Sequence, residues 1–129
     1  MLAAALLACA QCVAVGLGPS DRGFLDGGSI DDRTGKVTLL LVVDMPLEDG
    51  LTKQRVRNKM LGYKTWLSDT KVKQRYPQAR FEQSPVLLIA HPKPMNALGE
   101  SVLAQCVAYA GELGFTPKTK ELPPPSAAK

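Results

Sequence analysis

Residues 37–43 read Val-Thr-Leu-Leu-Leu-Val-Val, a run in which only Thr38 is polar. A strand with one wet face alternates apolar and polar side chains. This one instead carries Leu40 and Val42 at even positions and Val37, Leu39, Leu41 and Val43 at odd ones. Both faces therefore call for cover. Val86-Leu87-Leu88-Ile89-Ala90 repeats the pattern after Pro85, so the aliphatic excess belongs to the sheet rather than to one segment. With helices on one face only, the other would present an aliphatic patch on the order of a few hundred Å².

The remaining periodicities supply the other elements. Ser29-Ile30-Asp31 reads as a short strand, and Asp32-Arg33-Thr34-Gly35 as a turn with Gly at a position tolerating positive φ. Pro46 ends the long strand near Met45. From Thr52, a plausible N-cap, to Ser68, the spacing of Val56, Met60, Tyr63 and Leu67 predicts a helix. Lys71 to Tyr76 extends it or forms a further turn, and Pro77 stops it. A second helix is expected over Ala97 to Leu113, with Asn96 as N-cap and Gly114 past its end. Its apolar stripe is Leu98, Val102, Cys106, Tyr109 and Leu113, widened by Leu103 and Ala110. A last short strand falls within Phe115 to Leu122. The order β-β-α-β-α-(β) predicts an α/β (α+β) two-layer sandwich, a small sheet with two helices on one face. The expected organisation is an apolar leader over 1–20, one domain over 21–122 and a Pro-rich tail over 123–129.

A chain of 129 residues suits one domain without disulfide staples, and three cysteines do not make a disulfide framework. Residues 1–17 are apolar except for Gln11. Ala8-Cys9-Ala10 fits a small-x-small cleavage pattern and Leu6-Leu7-Ala8-Cys9 a lipoprotein box, but no Lys or Arg precedes them. The leader is therefore either an export or lipid-anchoring signal or a packed N-terminal segment. A cytoplasmic location is the first expectation and an exported or lipid-anchored one the alternative; no integral membrane domain is expected.

The net charge of +4 hides an asymmetry. Residues 21–50 hold seven acids against three bases, whereas residues 51–80 hold nine bases against Asp69 alone. On the predicted helix, Lys53, Arg57 and Lys64 flank the apolar stripe on one side and Arg55 and Lys59 on the other. These five are the candidate residues for an acidic partner or for phosphates, with Tyr63, Trp66 and Tyr76 as candidate stacking groups. Lys and Arg stems also cover apolar margins while their heads stay solvated, so a solvated flank is the simpler account.

Thr34-Gly35-Lys36-Val37, Asp44 ahead of the helix, Lys59-x-x-x-Tyr63-x-x-x-Leu67, Tyr76-Pro77 and the Pro92/Pro94 pair resemble the uncharacterised bacterial DUF6572-type domain family. The resemblance covers roughly Phe24 to Leu122 and implies a small α/β domain, with no assigned activity or catalytic residues. Leu40 and Val42 depart from it, because such strands more often alternate with polar residues.

Motifs for chemistry are sparse. Cys9-Ala10-Gln11-Cys12 has redox spacing but no preceding strand, and zinc would need Cys106 and His91 in addition. Asp31, Asp32 and Asp44 could face a cation, although turn aspartates ordinarily cap. There is no EF-hand spacing, Walker loop, dinucleotide fingerprint or Gly-x-Ser-x-Gly. No cofactor, metal or catalytic residue is expected. The leading expectation is a non-enzymatic protein-interaction domain, monomeric or homodimeric, whose partner is another protein or a second copy met through the sheet face or basic helix. The alternative is a nucleic-acid-binding module using the basic helix 52–76, and the second alternative an enzyme using His91 with Asp44.

Overall fold

A computed structural model describes residues 14–16 and 25–123. Its elements are β1 (Ala14–Gly16), β2 (Gly27–Asp31), β3 (Val37–Val42), α1 (Thr52–Ser68), α2 (Thr70–Arg75), β4 (Val86–His91), α3 (Ala97–Glu112) and β5 (Thr116–Glu121). The fold is the expected α/β two-layer sandwich, with a short third helix and one strand, β1, drawn from the apolar leader. Residues 1–13, 17–24 and 124–129 lie outside the described residues, and with them the cleavage and acylation patterns, Cys9, Cys12 and the Pro-rich tail.

Strand order follows chain order, β1-β2-β3-β4-β5, with β1/β2 and β2/β3 antiparallel and β3/β4 and β4/β5 parallel. Because the parallel strands advance in one direction, two crossovers of the same hand place α1 and α3 on one face. Leu39 lies beside Leu87 and Leu41 beside Ile89. These odd-numbered residues join Val56, Met60, Tyr63, Val102, Cys106 and Ala110 in the core. On the opposite face Leu40, Val42 and Leu88 are half-buried, while Val86 and Ala90 are only 6% and 4% exposed. The second face is thus less open than its aliphatic content suggests.

Sequence signals at the element ends are mostly realised. Gly35 has φ +76° in the β2–β3 turn, and a side chain there would strike the Gln78 carbonyl. Asn96 caps α3 by accepting a hydrogen bond from the Gly99 N–H at 3.1 Å, and Gly114 takes φ +96° just beyond it. Thr52, in contrast, is not a cap. It is the first residue of α1, and its buried hydroxyl donates to the Pro46 carbonyl at 2.6 Å. In β5 the Thr116 N–H points at β4, bonding Pro85, and so does that of Leu122, bonding His91. Pro117 therefore falls in the alternate set facing away from the sheet, where a missing N–H costs no ladder bond.

The helix stripes are rotated from their expected lines. On α1, Trp66 is 5% exposed while Leu67 is half-buried. Trp66 meets Tyr76 at 6.3 Å and Phe81 at 6.1 Å between ring centroids, closing an aromatic cluster over the end of α1. On α3 the buried line is Gly99, Val102, Cys106 and Ala110, and Leu98 is 58% exposed. Burial raises the Cys106 thiol above its ordinary pKa, in keeping with a small hydrophobe rather than a reactive thiol.

Tyr63 is 1% exposed, and its hydroxyl accepts from the Asp26 N–H at 3.0 Å while donating to the Leu40 carbonyl at 2.8 Å. Tyr63→Phe should cost about 1–2 kcal/mol in urea unfolding at neutral pH. Burial holds the Tyr63 pKa well above the ordinary tyrosine value. The phenol's contribution is thus complete below about pH 10, the unfolded value, and declines as pH rises through it. The gap between wild type and Tyr63→Phe should narrow above that point. Gly35→Ala, which combines positive φ with a backbone collision, should cost about 1–3 kcal/mol in the same assay.

Candidate functional site

The five candidate cations of α1 are each engaged within the chain. Toward α3, Lys53 Nζ donates to Gln105 Oε1 at 3.0 Å, and the Arg57 guanidinium lies 4.4 Å from the centroid of the Tyr109 ring. On that side too, Lys64 Nζ donates to the Leu113 carbonyl at the end of α3, where a cation is favoured. Toward β3, Arg55 Nη1 meets Met45 Sδ at 3.2 Å, and Lys59 Nζ bonds both Asp26 Oδ2 and the Val42 carbonyl at 2.9 Å. The two flanks expected from helical spacing are therefore two seams of the fold. Tyr63, Trp66 and Tyr76, candidates for stacking, are at most 7% exposed and belong to the core, which corrects that expectation.

Lys59 has a particular role. Pairing of β2 with β3 ends at Gly27–Leu40, so Val42 has no β2 residue opposite it in the ladder. Its N–H donates to Asp26 Oδ2 at 2.7 Å and its carbonyl accepts from Lys59. The Asp26–Lys59 ion pair thereby substitutes for the missing stretch of strand.

The other candidates separate. Asp31 Oδ1 accepts from the Arg33 and Thr34 N–H groups at 2.8 and 3.1 Å, a turn cap. Those bonds, Thr34 first, hold its carboxyl below the usual aspartate value. His91 ends β4 at 5% exposure, with Nδ1 2.9 Å from the Pro92 carbonyl. Asp44 is exposed after β3 and shares no hydrogen bond with His91. Among the described residues no three His, Cys, Asp or Glu side chains cluster as metal ligands, and no helix is long and apolar enough to cross a membrane.

A different feature stands out. At the carboxyl ends of β3, β4 and β5 lies a cleft of about 560 Å³. Its walls are Val43, Met45 and Pro46 after β3, Pro92 and Met95 after β4, and Leu122 and Pro123 after β5. Asp44, Glu48, Lys93 and Glu121 supply its charges. Each loop is tied down: Thr52 and Asp49 bond the Pro46 carbonyl, Glu48 Oε2 accepts from the Met95 N–H at 2.8 Å, and Leu122 bonds His91. Glu48 also backs onto Gly99, where any Cβ would collide with its carboxylate. Met95 remains 75% exposed at the cleft. In sequence the only hints were Pro46, Pro92 and Pro123, which read as stops of regular structure rather than as parts of one wall.

The chain matches no family model, no curated protein and no solved structure.

Lys59→Ala should lower stability by about 1–2 kcal/mol in chemical denaturation, because it strips the Val42 carbonyl and Asp26 together. Lys53→Ala, which removes one exposed hydrogen bond, should cost well under about 1 kcal/mol. Equal losses would contradict a seam role specific to Lys59.

Proposed function

We propose that this protein is a non-enzymatic protein-interaction domain that receives an apolar segment of its partner in the cleft at the carboxyl ends of β3, β4 and β5. The observation that carries this reading is the exposure of Met95, 75%, on a cleft whose loops are pinned by hydrogen bonds. Leu98, 58% exposed at the start of α3, and Leu51, 65% exposed just before α1, are the other large apolar side chains bared near these loops. Apolar side chains held in water by rigid backbone are the usual make-up of a docking surface. The lining holds three carboxylates and one lysine beside its apolar walls, and no hydroxyl, thiol or imidazole.

The two surfaces expected from sequence are less suited. Among the basic side chains of α1, all five candidates have intramolecular partners, and the aliphatic sheet face is half-buried or better. Selection of a random twelve-residue peptide library on the immobilised chain should enrich peptides with aliphatic or aromatic anchors. Their affinity should fall at least tenfold, about 1.4 kcal/mol, in Met95→Asp and stay unchanged in Leu61→Asp, a control on an exposed position of α1. An unenriched library, or equal losses in both variants, would refute the proposal.

A further inference from the structure

The charges around the cleft differ in sign from those of the chain as a whole. The protein carries +4, yet the lining has Asp44, Glu48 and Glu121 against Lys93 alone. Glu48 is partly occupied: its Oε2 takes the Met95 N–H at the amino end of α3, and its Oε1 is buried rather than open to the cleft. Asp44 and Glu121 are exposed, and among the described residues neither carboxylate has an ion-pair or hydrogen-bond partner. Asp44 follows β3 and Glu121 ends β5, on either side of β4, so sheet geometry sets their backbones roughly 10 Å apart. Between them the walls are apolar. Carboxylates beside low-dielectric walls attract cations more strongly than the same groups on an open surface.

Resting on the reading of the cleft as a docking site, we infer that its occupant is a peptide segment in which an apolar anchor is flanked by two basic residues. The anchor lies against Met95, Pro46 and Pro92, one cation faces Asp44 and the other faces Glu121. An extended chain advances about 3.3 Å per residue, so cations roughly 10 Å apart lie about three positions apart. The occupant therefore reads as Lys or Arg, two residues including the anchor, then Lys or Arg. Lys93 favours an acidic segment, but the carboxylates outnumber it, so the sign of the preference follows the carboxylates.

The test uses the full-length chain and the peptides that the library selection enriches. Enriched sequences should carry paired basic residues about three positions apart around the anchor. Binding measured by titration calorimetry should weaken at least tenfold between about 50 and 500 mM salt, and again when both basic residues become Glu. The double variant Asp44→Lys/Glu121→Lys, made at exposed positions outside the core, should lose the basic peptide and gain the Glu-substituted one. Enriched peptides that need Met95 but show no charge bias would overturn the inference while leaving the docking site in place. A library that enriches nothing would sink both. A Met95-dependent dimer in light scattering would make the occupant a second copy of the chain and would also overturn the inference.

Discussion

Most of the structure depends on how β3 ends. Where β2 leaves it, a half-buried stretch of strand would be left with backbone groups that lack a ladder partner. Tyr63, Lys59 and Asp26 supply partners together: the phenol joins the Asp26 N–H to the Leu40 carbonyl, and the ion pair takes both polar groups of Val42. Two of these side chains belong to α1, so helix and sheet are bonded as well as packed. The position of α1 then fixes the start of the loop after β3, through Thr52 and Pro46, and with it one wall of the cleft.

The same arrangement accounts for the basic character of α1. A helix whose apolar stripe is bordered by long cations can seal both margins with aliphatic stems while the charged heads reach acceptors on its neighbours. Lys53, Arg57 and Lys64 do so toward α3, and Arg55 and Lys59 toward β3. Part of the basic excess of the sequence thus serves assembly. Acidic residues 21–50 supply the counter-charge at Asp26, within the same seam.

Local signals were mostly legible where one residue type answers one backbone need, Thr52 being the exception. Gly35, Gly114 and Asn96 sit where positive φ or a side-chain cap is required, and the flanks of α1 follow from 100° per residue. What could not be read is the packing partner. On α3 the stripe expected from spacing ran Leu98, Val102, Cys106, Tyr109 and Leu113 with Ala110 beside it; the buried line keeps Val102, Cys106 and Ala110 but is turned by roughly 45° from that stripe's centre, so that Gly99 takes the place of Leu98. Small residues let α3 approach the sheet and the Glu48 carboxylate, and the large ones move to the margin, Tyr109 under Arg57 and Leu98 into solvent. Trp66, a candidate stacking group by its place among the cations, is covered instead by Tyr76 at the end of α2 and by Phe81. The cleft was illegible for a related reason. Its residues come from three loops whose convergence only the sheet order creates.

The carboxyl end of the sheet also differs energetically from the rest. Glu48 Oε1 is buried with no hydrogen-bond partner among the described residues, a cost on the order of 1–3 kcal/mol. Its other oxygen fixes the Met95 backbone and excludes any side chain at Gly99. A chain selected for stability alone would relieve such a site, for instance by a neutral residue at 48 and a smaller one at 95. Retaining a half-satisfied carboxylate that fixes the backbone of an exposed methionine makes sense if the held geometry is used. Preorganised loops lose little conformational entropy when a partner docks, so stability spent in the unbound protein returns as affinity in the complex.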